Sequence, residues 1–116
     1  MTPQPSSNDV LDPILHQTVR TQIVAYLVGR GEATFSDLKR VLDISDGNLD
    51  SHLKKLTEVA YVVSRKDTSN PRQQTVYTLT KTGQAALRRY TENLQRLLNL
   101  SRETKARASP TRRKFA

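Results

Sequence analysis

The chain has 116 residues, of which 35% are hydrophobic and 26% charged, so it is long enough for one domain but too short for two separate cores. It contains no cysteine, which excludes disulfides, thiol redox chemistry and thiolate metal sites. It also has no apolar run of the length needed to span a bilayer and no secretory signal pattern, so we expect a cytoplasmic protein with no membrane partner.

The net charge of +8 favours a polyanionic partner such as nucleic acid. The charge is unevenly distributed, because six basic residues and one acid lie from Arg102 onward and give that segment +5. Charge alone therefore does not establish that the folded part binds DNA. We predict a flexible leader at 1–11, a folded domain at 12–100 and a disordered basic tail at 101–116.

The first predicted helix begins after Asp12, which suits the N-cap, with Pro13 in the first helical position. Its apolar residues recur at helical spacing, at Ile14, Leu15, Val19, Ile23 and Leu27. Gly29 or Gly31 would end it. A short extended segment at 33–35 follows, and Ser36 offers a cap for a brief second helix.

A turn at residues 43–45 separates this second helix from a third. Ser45 can cap the third helix, and Ile44 can pack on Leu49 four residues inside it. A buried stripe is predicted at Leu49, Leu53 and Leu56. Two helices joined by a three-residue turn follow the helix-turn-helix plan, in which the second helix enters the major groove of DNA.

The opposite face of the third helix is small near its start, polar and basic, which suits approach to bases and phosphates. The predicted DNA contacts on this helix are Gly47, Asn48, Ser51, His52, Lys54 and Lys55. His52 lies at the edge of the leucine stripe, so a packing role is favoured for it over DNA contact or pH sensing. Asp50 and Glu58 count against a purely electrostatic role.

Two runs rich in β-branched and aromatic residues, at 61–63 and 74–79, predict a β-hairpin. The residues between them, 68–71, have turn chemistry. A basic β-loop beside the third helix can reach the DNA backbone or the minor groove, so the hairpin adds the predicted contacts Arg65, Lys66 and Arg72. Of these three residues, Arg72 is the one that we expect to reach the DNA backbone or the minor groove.

A long last helix is predicted from Lys81 onward. Its apolar residues form a narrow stripe at Leu87, Tyr90, Leu94 and Leu97. The stripe could cover the core of its own domain, but the length of the helix beyond one domain favours packing against a partner helix.

Two motifs resemble those of the MarR/ArsR-like winged-helix regulators, in particular the short single-domain group. The helix motif S-x-G-x-L-x-x-H-L-x-x-L is matched by Ser45, Gly47, Leu49, His52, Leu53 and Leu56. The hairpin motif T-x-Y-x-L-T-x-x-G is matched by Thr75, Tyr77, Leu79, Thr80 and Gly83. The resemblance covers about residues 16–90. It implies a winged helix-turn-helix, a mainly α fold with a small β-hairpin wing (α+β) and a long C-terminal dimerisation helix.

The resemblance also implies a homodimer on a pseudo-palindromic operator in double-stranded DNA. The first and last helices would form the interface, at Ile14, Leu15, Leu87, Tyr90, Leu94 and Leu97. One departure from the group is Ala60, which stands where the group has glycine. A left-handed cap at alanine would cost on the order of 1 kcal/mol, so we expect the third helix to end slightly differently here.

A sequence-specific transcriptional regulator is the predicted function, with two alternatives. A nucleoid-type architectural protein would also suit the basic tail, and a protein-interaction module would need an apolar face, against which Lys54 and Lys55 argue. We expect no enzyme, because no nucleophile elbow or phosphate loop is present. We expect no metal or other cofactor, because the only histidines, His16 and His52, lie in separate helices. The operator, the sign of regulation and an unknown small-molecule effector stay open.

Overall fold

Four helices and a three-stranded antiparallel sheet make up the part of the chain that the computed structural model describes, residues 11–69 and 71–108, with side chains as far as Asn99. Their order is α1 (Thr18–Arg30), β1 (Glu32–Thr34), α2 (Phe35–Leu42), α3 (Asp46–Glu58), β2 (Val62–Asp67), β3 (Gln74–Leu79) and α4 (Lys81–Ala108). β3 lies between β1 and β2. This mainly α domain with a hairpin wing confirms the predicted fold class.

The first helix begins later than the sequence predicted. Residues 12–17 instead form a turn, in which Asp12 Oδ1 accepts a hydrogen bond from the Ile14 N–H (2.8 Å) and the Asp12 carbonyl accepts one from the His16 N–H (2.7 Å). Gln17 is the N-cap of α1, since its side chain accepts from the Arg20 N–H. The predicted start after Asp12 is wrong because Asp12 closes this turn, from which Leu15 enters the core.

The other helix ends show which predicted caps are used. Gly31, with φ at 90°, ends α1 as predicted. The predicted cap Ser36 is wrong, because Thr34 caps α2: its hydroxyl accepts from the Asp37 N–H (3.0 Å), and the Asp37 carboxylate accepts from the Thr34 N–H (3.2 Å). This reciprocal capping box satisfies two backbone donors at once. Ser45 caps α3 as predicted.

Ala60, two residues after the end of α3, has a left-handed backbone conformation with φ at 64°. The Tyr61 N–H donates to the Leu56 carbonyl and the Ala60 N–H to the Thr57 carbonyl, both at 2.9 Å, which are the two bonds of a Schellman motif. The expectation of a different helix end is therefore wrong. The Thr80 hydroxyl donates to the Ala60 carbonyl at 2.6 Å, and this tertiary contact favours the left-handed turn although alanine occupies it.

We expect Ala60→Gly to raise the free energy of unfolding by about 1 kcal/mol, because glycine adopts positive φ without a Cβ clash. Denaturant unfolding measures the change. The matched control is Ala25→Gly at an exposed position inside α1, which should lower stability by about 1 kcal/mol through lost helix propensity. An Ala60→Gly protein as unstable as the control would contradict the strain at this cap.

The core lies where α1, α2 and α3 meet the sheet and the first turns of α4. The predicted leucine stripe of α3 is buried, with Leu49, Leu53 and Leu56 at most 2% exposed. Full burial of such a side chain stabilises the fold by about 1.5–3 kcal/mol. Other core residues are Leu15, Ile23, Val24, Leu27, Leu38, Val62, Leu79, Ala86 and Tyr90. The leucine face of α3 therefore anchors the helix in the core, and the opposite face of the helix is exposed to solvent.

The last helix begins at Lys81 as predicted and continues to Ala108, so the expected start of a disordered tail at 101 falls inside α4. Its 28 residues span about 42 Å at 1.5 Å per residue. The rest of the tail, 109–116, and residues 1–10 of the leader lie outside the described residues. None of the described helices is long and apolar enough to cross a membrane.

Candidate nucleic-acid interface

The solvent-facing side of α3 carries most of the predicted DNA contacts. Because the leucine stripe holds the helix on the core, the opposite side chains are exposed. We call this set the recognition face, and it consists of Gly47, Asn48, Ser51, Lys54 and Lys55. The structure therefore brings five of the six predicted residues of this helix together on one accessible surface.

The sixth residue, His52, is half-buried at the edge of the recognition face. Burial lowers its pKa, and the positive charge of Arg20 on α1 lowers the pKa further. The imidazole is therefore neutral at pH 7, in keeping with the favoured packing role. The other histidine, His16, hydrogen-bonds through Nδ1 to the Tyr90 hydroxyl at 3.0 Å. Within residues 11–69 and 71–108 no three metal-ligating side chains cluster.

Both lysines of the recognition face pair with acids of their own helix. Lys54 Nζ lies 3.5 Å from Asp50 Oδ2, and Lys55 Nζ lies 3.9 Å from Glu58 Oε1. Exposed pairs of this kind contribute only about 0.3–0.5 kcal/mol, so a phosphate can replace the acid at little cost. Since Asp46 adds a third acid, α3 has a formal charge of −1 and does not by itself attract DNA.

The hairpin places its three predicted basic residues differently. β2 pairs with β3 from Val62 opposite Leu79 to Asp67 opposite Gln74. Arg65 lies within the ladder, where its guanidinium group reaches across β3 to the Glu32 carboxylate at 2.9 Å. Lys66, one residue nearer the tip, and Arg72, in the connection between the strands, are both exposed. Lys66 and Arg72 therefore lie nearer the tip of the hairpin than Arg65 does.

The wing and α1 lie on opposite sides of α3. Burial raises the pKa of Tyr77 on β3, and the negative charge of Asp50 raises it further, which puts Asp50 on the side of α3 nearer the sheet. His52, which faces Arg20 of α1, is about 200° further around the helix. The recognition face lies between these two sides, with the sheet on one flank and α1 on the other.

The T-x-x-G motif joins the start of α4 to the end of α3. The Thr80 hydroxyl accepts from the Gly83 N–H at 2.9 Å, and the Thr80 N–H donates to the Tyr61 carbonyl at 3.0 Å. A Cβ on Gly83 would overlap that same carbonyl oxygen and lie 2.7 Å from a methyl carbon of Leu79. Burial, with an additional contribution from the hydrogen bond to Asp12, raises the pKa of Tyr61 to about 12. Thr80 and Gly83 therefore hold the start of α4 against the residues that follow α3.

The fold, with α2 and α3 as the helix-turn-helix and the β2–β3 hairpin as the wing, defines a winged helix-turn-helix protein. A family model, the winged helix DNA-binding domain, matches residues 19–98. The chain belongs to this family. It is therefore a winged-helix DNA-binding protein, a class that is not enzymatic, as the sequence predicted.

Individual relatives are similar to this chain in sequence or in fold. An uncharacterized protein of Methanocaldococcus jannaschii is 36% identical over 89 residues, which are 77% of this chain and 94% of that protein. A transcriptional regulator homologue from Pyrococcus horikoshii has 31% identity and a TM-score of 0.74, covering 80% of this chain and 92% of its own. A mutant MarR of E. coli, solved with operator DNA, shares the fold at 20% identity and a TM-score of 0.66, covering 81% of this chain and 66% of its own.

Glu58, the acid that pairs with Lys55, should weaken DNA binding. We expect Glu58→Gln to raise the affinity for a random-sequence duplex roughly fivefold at 0.1 M salt, because it releases Lys55 for phosphates and removes a repulsive charge. Fluorescence anisotropy measures the affinity. Glu92→Gln on α4 removes the same charge elsewhere and should change little. Equal effects of both variants would show that only net charge matters.

Proposed function

We propose that this protein is a transcriptional regulator that binds a specific, pseudo-palindromic operator as a homodimer. The observation that carries the proposal is the recognition face, an exposed, polar surface on a helix whose other side is locked into the core. Small residues at its start permit close approach to the groove, and the wing lies beside it. The fold shared with a MarR that was solved on operator DNA supports the same assignment.

The charge balance of α3 favours sequence-specific binding over architectural binding. A nucleoid-type protein depends on neutralising phosphates, whereas α3 has a formal charge of −1. Its face instead offers Asn48 and Ser51, whose side chains can hydrogen-bond to base edges. A protein-interaction module would need apolar side chains on this face, and none of its five members is apolar.

The homodimer is proposed from the part of α4 that extends past the core. Leu97 and Leu98 are 37% and 53% exposed there. Leu15 and Tyr90, two residues predicted for the interface, are 0% and 7% exposed in the core of their own chain, so their side chains are not available to a partner. Leu94 packs half-buried beside them, as do the predicted interface residues Ile14 and Leu87. The proposed seam is therefore Leu94, Leu97 and Leu98.

Selection of duplexes from a random library with the full chain tests this function. We expect a two-fold symmetric sequence with half-sites about 10 base pairs apart, bound at least about a thousandfold more tightly than random DNA at physiological salt. Below we call it the selected duplex. Ser51→Ala should weaken this binding, whereas Ser36→Ala, an exposed serine of α2, should not.

The alternatives predict other outcomes of the same selection. Equal affinity for every duplex would indicate an architectural protein, and absence of DNA binding would indicate an interaction module. Either outcome contradicts the proposal.

A further inference from the structure

We propose that Arg20 of α1 binds a DNA phosphate on the flank of α3 opposite the wing. The proposal rests on the proposed function, because it assumes that the recognition face enters the major groove. Arg20 was not among the DNA contacts predicted from the sequence. It would give the domain a second anchor on the DNA backbone, across the groove from the tip of the wing.

The geometry of a helix in the major groove calls for such an anchor. The groove has a sugar-phosphate backbone on each side, and contacts to both backbones determine how the helix is oriented in it. The wing follows the Asp50 side of α3 and can reach one backbone. α1 follows the His52 side, and Arg20, in its first turn, is the basic residue whose charge acts on His52. Arg20 therefore lies where the other backbone would pass.

The charge of Arg20 is not neutralised within the described residues. Carboxylates pair with Lys39, Arg40, Lys54, Lys55 and Arg65, but the described part of the chain places none on Arg20. Its Nε atom is buried without a hydrogen-bond partner, although the residue as a whole is only half-buried. Neither Nη atom of Arg20 is among the buried atoms without a partner, so the buried Nε leaves the end of the guanidinium group as the part that can bind an anion. The paired donors of a guanidinium group match phosphate oxygens, and a phosphate would supply the charge partner that Arg20 lacks.

The net charge of α3 favours such a contribution from a neighbouring helix. With three acids against two lysines, the helix cannot hold itself in a polyanionic groove. Cations on neighbouring elements must supply the attraction. Lys66 and Arg72 do so on the wing side, and Arg20 does so on the α1 side.

The test is the salt dependence of binding to the selected duplex for Arg20→Met, which keeps an apolar stem and removes the charge. We expect the slope of log affinity against log salt to fall by about 0.9 per subunit, and the affinity at 0.1 M salt to fall about eightfold per subunit. The discrimination against random DNA should stay unchanged, because phosphate contacts carry no base information. Arg20→Lys should retain the slope, since it retains the charge.

The matched control is Arg30→Met at the other end of α1, about 15 Å along the helix, where the guanidinium group lies over the Tyr26 ring. It removes the same charge and should leave the slope nearly unchanged. Equal slopes for the two methionine variants would overturn the inference, as would an Arg20→Met protein that is unfolded at the assay temperature. If the parent protein itself yields no selected duplex, the proposed function has failed rather than this assignment alone.

Discussion

Replacing both Leu97 and Leu98 with aspartate should produce a folded monomer that binds the selected duplex at least about a hundredfold more weakly than the parent. The expected loss is large because a monomer presents one α3, whereas a two-fold dimer presents two to successive major grooves about 34 Å apart. Aspartate in an apolar seam would bury a charge without a partner, which opposes association. Since both leucines are exposed in the protomer, the substitution should spare the fold.

Light scattering for molar mass, beside a titration with the selected duplex, measures both effects. The matched control places aspartate at Gln95 and Asn99, two exposed residues of α4 that hydrogen-bond to each other at 3.2 Å. They add the same charge outside the proposed seam of Leu94, Leu97 and Leu98, so this variant should stay dimeric. Leu94 is a poorer target, because it also packs on the core of its own chain. A Leu97→Asp, Leu98→Asp protein that remains dimeric, or a monomer that binds as the parent does, would remove α4 from the interface.

Gly83→Ala should lower the free energy of unfolding by roughly 3 kcal/mol, a large fraction of the stability of a small domain. The new Cβ would overlap the carbonyl oxygen of Tyr61, which is backbone and cannot rotate away. Relief requires α4 to move from Tyr61, at the expense of the hydrogen bond from the Thr80 N–H to that carbonyl. The overlap outweighs the roughly 1 kcal/mol that alanine gains in helix propensity.

Thermal and denaturant unfolding measure this effect, and a second glycine provides the control. Gly29 lies inside α1, and a Cβ there meets nothing within 4 Å. Gly29→Ala should therefore stabilise the protein by about 1 kcal/mol, opposite in sign to the change at Gly83. A Gly83→Ala protein as stable as the parent would show that the close approach of α4 to Tyr61 is not required.

Local patterns were sufficient to predict the helix-turn-helix, the hairpin and the start of α4. The leucine stripe of α3 and the cap at Ser45 are set by residues within one or two turns of each other, so spacing alone reveals them. The recognition face follows directly, because the side of a helix opposite a buried stripe is exposed. The acids that pair with Lys54 and Lys55 can also be predicted from the sequence, since i,i+3 and i,i+4 spacing places the two members of each pair together on a helix.

Contacts between distant segments decided what the sequence could not. Arg20 and His52 are separated by 32 positions, and the charge of Arg20 acts on the pKa of His52 only because α1 packs beside α3. The left-handed turn at Ala60 is held by Thr80, and the choice between core and partner for each apolar residue of α4 depends on where α1 and the 12–17 turn lie. A periodic pattern identifies which side chains share a helix face. It does not show whether that face packs against the core of its own chain, against another chain or against neither. The sequence by itself therefore determined the fold class and the recognition face, while packing decided which basic and apolar side chains stay exposed.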